Sequence, residues 1–222
     1  MLPDQTIAGA GDGRTYGGLT QAEREERARA ALLAAGTTLF ADHGFAATGV
    51  RELCRAARVS ERTFYATFGS REALLSAVYL AATDAVIDRI RAGVRAADAG
   101  DVFGRLRAGL GAFFDAITDE PRHGRLIYVE ALGRGQDIEA ARREGLDRFT
   151  TLVLDELAPF TDRPAEDAGL RAGVAAALTG VGELAYRYAE GELDVDAGVV
   201  DRISQAVAGM AVAGGLVAAP AQ

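Results

Sequence analysis

The run VRELCRAARVSERTFYATFGSREALL, from Val50 to Leu75, constrains this chain more than any other stretch. Thr48 is a good cap for a helix that starts just after it, because a threonine hydroxyl accepts from the free amides of a first turn. Val50, Leu53 and Cys54 then fall on one inward face. Ser60 is the next cap. Val59 before it and Phe64 after it form a hydrophobic staple, which sets the angle of a short helix over Glu61–Thr67. A third helix starts after Ser70 and is predicted to run to about Ala97. Two short helices at a tight turn, followed at once by a long one, form a helix-turn-helix pattern, in which the second helix enters a DNA major groove.

The rest of the chain reads as helix. Thr20 with Glu23 three residues on is a capping box, so a first helix is predicted over Gln21–Asp42. Leu32, Ala35, Leu39 and Phe40 give it an apolar stripe. Gly44 stops it, and Phe45 is expected to fold back on Phe40. Further helices are predicted near Val102–Thr118, Arg122–Leu132, Ile138–Leu157, Ala165–Ala189 and Val195–Leu216. The breaks fall at Gly100, Pro121, the Gly133–Gly135 pair, Pro159–Pro164 and Gly191. No alternating strand pattern and no internal repeat occurs. The predicted class is all-α: a three-helix head over 19–68 and a helical body over 69–222. Residues 1–18, rich in Gly and small polar residues, are expected to be a disordered tail. Arg14 and Tyr16 would let that tail touch a minor groove.

Composition bears on partners. The net charge of −8 argues against nucleic acid, yet its distribution does not. From Thr20 to Leu75 there are eight Arg and seven acids, so the head is near +1, and the acid excess lies in the body. All 24 basic residues are Arg. Cys54 is the lone cysteine, which excludes an intrachain disulfide and a CxxC motif and suits a cytoplasmic protein. Residues 1–19 lack the apolar run of a signal peptide. The longest apolar stretch, Ala206–Ala219, is shorter than the roughly 20 residues a membrane span needs. His43 and His123 have no partner at metal-ligand spacing, and no catalytic triad, phosphate loop or carboxylate pair stands out. No enzyme activity, cofactor or metal is expected.

The head carries the chemistry. The first residues of the short helix are Glu61, Arg62 and Thr63, which would reach base edges. Arg62 suits the paired acceptors of guanine, and Thr63 a thymine methyl. Glu61 would accept from cytosine or orient Arg62. Helix starts after Thr48, Ser60 and Ser70 present amides to phosphate. Thr48, Arg51, Tyr65 and Arg71 sit where side chains would add phosphate bonds.

These residues resemble the DNA-binding head of the tetracycline-repressor (TetR) family of bacterial transcriptional regulators. The resemblance rests on Leu39-Phe40, Gly44-Phe45, Thr48, Val59-Ser60, Thr63-Phe64-Tyr65, Phe68, Ser70-Arg71-Glu72 and Leu75. It implies an all-helical homodimer whose heads grip a palindromic operator and whose bodies bind a small effector that releases DNA. By the same resemblance Thr48 and Tyr65 contact phosphate, Arg71 stands in for the usual Lys, and Arg29 lies near the DNA backbone. The chain departs from the pattern in three ways. Arg58 occupies a turn position where Gly is usual, adding a phosphate contact or straining the turn. Thr67 replaces the common His or Tyr, and helix 1 starts early, at Thr20.

Body expectations follow from the same source. An effector pocket would be lined by Phe103, Phe113, Phe114, Ile127, Tyr128, Phe149 and Tyr186. A two-fold contact would use Ala172, Ala176, Gly180 and Leu184 on one helix and Val199, Val200, Ile203, Val207 and Met210 on the last. The rival reading is a helical small-molecule-binding protein whose head no longer binds DNA, motivated by Glu61, Thr67 and the acidic balance.

Overall fold

Local capping chemistry sets where the helices of this computed structural model begin. The structure describes residues 20–97, 102–132 and 135–215. The tail with Arg14 and Tyr16, the breaks at Gly100 and Gly133, and the chain beyond Gly215 lie outside the described residues. Helix α1 spans Gln21–His43 and opens on the predicted capping box: Thr20 accepts from Glu23 N–H while the Glu23 carboxylate accepts from Thr20 N–H at 2.7 Å. Gly44, at φ 83°, ends it with its N–H on Phe40 O, and Phe45 folds back onto Phe40 with ring centroids 5.4 Å apart.

Helix α2 spans Val50–Ala57. Its N-cap is Gly49 and not the predicted Thr48, whose hydroxyl turns back to donate to Gly44 O at 2.9 Å. Helix α3 spans Glu61–Phe68 from the predicted cap Ser60, which accepts from Thr63 N–H at 3.0 Å. Between them Arg58 adopts φ 55°, ψ 42°, so a Cβ-bearing residue holds a left-handed cap. That conformation costs about 1 kcal/mol in a residue other than glycine. Arg58→Gly is therefore expected to raise unfolding stability by up to about 1 kcal/mol, read from the urea midpoint; a lowered midpoint would show that the Arg58 side chain stabilises more than its backbone costs.

Helix α4, Arg71–Ala96, runs out of the head into the body, capped by Ser70. The body adds α5 (Val102–Asp119), α6 (Pro121–Arg125), a π-helical turn at Leu126–Glu130, α7 (Gln136–Leu157), a short 3-10 turn at Ala158–Phe160, α8 (Ala168–Ala189) and α9 (Ala197–Ala213). The single helix predicted over Arg122–Leu132 is thus a short α-helix that widens into a π turn. No strand occurs among the described residues, and the fold is all-α.

One continuous core joins head and body. Leu32 and Phe40 of α1, Leu53 of α2, Phe64 of α3 and Leu74, Leu75 and Val78 of α4 are buried together. The same cluster continues through Val86 to Phe113, Phe114 and Ile117 of α5, Leu126 of the π turn and Ile138 of α7. Helix α4 is the common wall, so the head is not an independently packed lobe on a linker. A smaller cluster, Leu154, Leu170 and Val174, holds α7 to α8. No described helix is long and apolar enough to cross a membrane.

Candidate nucleic-acid interface and the body behind it

The exposed face of α3 repeats at helical spacing. Glu61, Arg62, Tyr65 and Ala66 are exposed, while Phe64 is fully buried. The staple turns this face outward: Phe64 fills the core and Tyr65, 52% exposed, packs edge-on against it with centroids 5.2 Å apart. Arg62 is exposed and makes no hydrogen bond or ion pair among the described residues, so its guanidinium is available. Glu61 is not: it pairs with Arg51 of α2 at 3.3 Å. Both ends of that pair face solvent, so it is weak and can exchange for a phosphate or a base. The Ser60 and Thr63 hydroxyls bond each other at 2.8 Å. Thr67 donates to Thr63 O at 2.8 Å, which uses its proton inside the helix. Arg29 is exposed, with its guanidinium 4.9 Å from the centre of the Phe68 ring. Arg58 and Ser60 are exposed at the turn.

Two predicted phosphate ligands have other work. Thr48 is fully buried, and its hydroxyl lies against Gly44 O and Leu39 O at 2.9 and 3.2 Å. A buried hydroxyl already bonded to the backbone cannot reach DNA, so Thr48 is a strut of the loop between α1 and α2 and the phosphate role expected of it is corrected. Arg71 donates to Thr48 O at 2.6 Å and to Phe45 O at 3.3 Å, with its guanidinium 4.5 Å from the centre of the Phe45 ring. A side chain so engaged braces the same loop through its Nη1, and its other guanidinium donors are not used in these two bonds.

The head is tied to the body at two points that the sequence reading missed. Arg122 of α6 makes a two-bond pair with Asp42 of α1 at 2.9 and 3.0 Å, and that hydrogen bonding holds the Asp42 carboxyl below its usual range. Glu130, 4% exposed at the end of the π turn, accepts from Phe45 N–H at 2.9 Å. A lone acid inside the apolar run LIYVEAL was the available signal.

In the body, Phe113, Phe114, Ile127 and Phe149 are buried, Phe103 and Tyr186 half-buried. Phe113 meets Phe114 and Tyr128 edge-on, at 5.0 and 6.2 Å. Tyr128 lies against α8, where a Cβ on Gly182 would stand 3.4 Å from its ring. Tyr79 of α4 crosses α7 at Gly145, where an added Cβ would fall 2.6 Å from the phenol oxygen, so any side chain there would displace the Tyr79 ring. Burial pushes both phenols above their ordinary range, strongly for Tyr128, while the Thr83 hydroxyl partly offsets this for Tyr79. The predicted lining residues thus divide: Phe113 and Tyr128 sit with the polar atoms of Tyr79 and Thr83 nearby, and Phe103 and Tyr186 lie nearer the surface.

The predicted two-fold surface also divides. Ala172, Ala176 and Gly180 of α8 and Met210 of α9 are exposed, Met210 by 59%. Val199 is half-buried. Leu184, Val200, Ile203 and Val207 are half-buried and pack in part against the core of their own subunit. Helix α9 packs against α5, which covers part of the apolar stripe read from its sequence and leaves Met210 outside.

Residues 32–78 match the family model described as bacterial regulatory proteins, tetR family. The HTH-type transcriptional activator FasR of Mycolicibacterium smegmatis is 32% identical over 151 residues, 67% of this chain and 64% of that protein. The chain belongs to the TetR family. It therefore matches a little under two thirds of the length of that curated TetR relative. The fold agrees with solved TetR-like structures. The fatty acid degradation regulator FadR from Bacillus halodurans superposes with a TM-score of 0.67 at 17% identity, over 82% of this chain and 95% of that one. FadR from Bacillus subtilis, solved in complex with stearoyl-CoA, does so with a TM-score of 0.64 at 14% identity, over 83% and 98%.

Proposed function

We propose that this TetR-family chain is a sequence-specific, ligand-responsive transcriptional regulator. The observation that carries the reading is Arg62: an unpaired guanidinium on the exposed N-terminal turn of a stapled recognition helix. Two copies would meet through the exposed small-residue face of α8 and Met210 of α9, and set two α3 helices about one DNA turn apart on a palindromic operator. The effector would bind in the body behind Tyr128 and Phe113. Its proposed class is a long-chain acyl thioester, as in the stearoyl-CoA complex of the B. subtilis relative. The residues there support that class: the apolar side chains of Phe113, Phe114 and Ile127 suit an acyl chain, and the Tyr79 and Thr83 hydroxyls suit a carbonyl. Ligand binding would favour the DNA-free state by its differential affinity for the two. Such release relieves repression where the operator overlaps a promoter and ends activation where it lies upstream, the second in keeping with similarity to an activator.

A second reading, a ligand-binding body on a silent head, is favoured by the Arg51–Glu61 pair, which places an acid on the reading turn and occupies a cation. Fluorescence anisotropy against tiled duplexes flanking the gene separates the two. The first reading expects one palindromic tile, with affinity falling roughly a thousandfold between about 50 and about 200 mM salt, and release by stearoyl-CoA but not by CoA. Uniformly weak binding to every tile would move the assignment to the second reading.

A further inference from the structure

We propose that Glu130 is a positioning residue, a latch that locks the DNA-reading head to the body. The head's loop between α1 and α2 is gripped from three sides. From the body, Glu130 Oε2 accepts Phe45 N–H at 2.9 Å, across 85 residues of sequence. From α4, Arg71 holds Phe45 O and Thr48 O and covers the Phe45 ring. From α1, the Phe40 ring backs Phe45. Arg125 Nη2 stands 3.3 Å from Glu130 Oε1 and neutralises the buried charge.

A carboxylate only 4% exposed tolerates burial when it is bonded, and an amide left without its acceptor in the same place is costly. The latch is therefore two-state: the bond is made, or the loop separates from the body and both groups find water. Separation changes the angle of α2 and α3 without touching any residue that faces DNA.

The π turn supplies the connection inward. Leu126–Glu130 holds both Glu130 and Tyr128, and the Tyr128 ring sits against Phe113 and beside Gly182 in the body interior. A π turn carries one residue more than an α turn and is a register that a displaced side chain can collapse. Moving one α-helical position turns a side chain by about 100°, which takes the Glu130 carboxylate off Phe45. This inward half rests on the proposed body ligand; the latch itself does not.

The test uses the full chain without ligand. In the wild type, amide exchange at Phe45 is expected to be slow for a loop position, because its N–H is buried on a carboxylate. In Glu130→Met, peptides covering residues 41–49 should exchange about tenfold faster or more, while those covering residues 138–157 keep their wild-type rate. Affinity for a duplex selected by the wild type from a random library should fall at least about fivefold. Glu130→Gln keeps an amide oxygen at the acceptor position and should restore both readings to within about twofold. Fast exchange at Phe45 in the wild type overturns the latch, whatever the variants do. So does acceleration spread evenly through the body of Glu130→Met, or a Gln variant that behaves like Met. If no duplex is selected, DNA reading by the head fails and the exchange rates alone decide the latch. If stearoyl-CoA has no effect on DNA binding, the ligand class fails and the latch stands.

Discussion

Replacing Phe64 with alanine is expected to destabilise the protein by about 3–5 kcal/mol, as large an effect as any single truncation in the head. The ring is fully buried where α3 meets the core, and its edge supports Tyr65. Truncation removes the staple partner of Val59 and leaves a cavity under the recognition helix. Few neighbours can collapse into it, because Leu53, Leu74 and Leu75 are already fully buried around the same core. As that core runs unbroken into the body, the loss should appear as one shifted cooperative transition, with the melting temperature lower by roughly 10 °C. A loss under about 1 kcal/mol in chemical denaturation would mean that the ring is not packed as described. Two separated transitions would contradict a shared core.

Arg62→Ala is expected to leave stability within about 0.5 kcal/mol, since the side chain is exposed and unpaired. Its cost should fall on DNA: about 1–3 kcal/mol of operator affinity, with relaxed preference at one base pair in each half-site. The physical basis is the paired bond of a guanidinium to guanine O6 and N7, which no water-bridged substitute reproduces. Competition binding with single-base operator variants measures it. An equal loss on every variant would make Arg62 a phosphate ligand instead, because phosphate contacts carry no sequence information.

Several elements were legible because their causes are local. The capping box at Thr20 and the cap at Ser60 are spacings of three residues, and the structure reproduces them; Val59 and Phe64, read as a staple, both pack into the same core. The same holds for the stop at Gly44 with Phe45 folded onto Phe40. Arg58 was readable as an anomaly, since a turn that favours glycine leaves its mark wherever another residue stands. Where sequence reasoning went astray, one motif residue had two possible uses. Thr48 fits both a cap and a loop strut, and only the packing of the loop after α1 selects the second use; Arg71 braces that loop from α4, a contact that no local spacing encodes. The stripe on α9 has two possible uses in the same way. Periodicity shows that Val200, Ile203 and Val207 share a face but does not say whether α5 or another subunit covers it.

The sequence by itself determined the helical class, the order of the helices and the outward turn of Arg62 and Tyr65, because caps, staples and 3.6-residue periodicity act within a few residues. Only the tertiary structure decided how the head is held. The bonds from Arg122 to Asp42 and from Glu130 to Phe45 join residues 80 and 85 positions apart. No local rule encodes such partners: their free energy depends on burial and on meeting geometry, both of which exist only once α6 and the π turn have docked against α1.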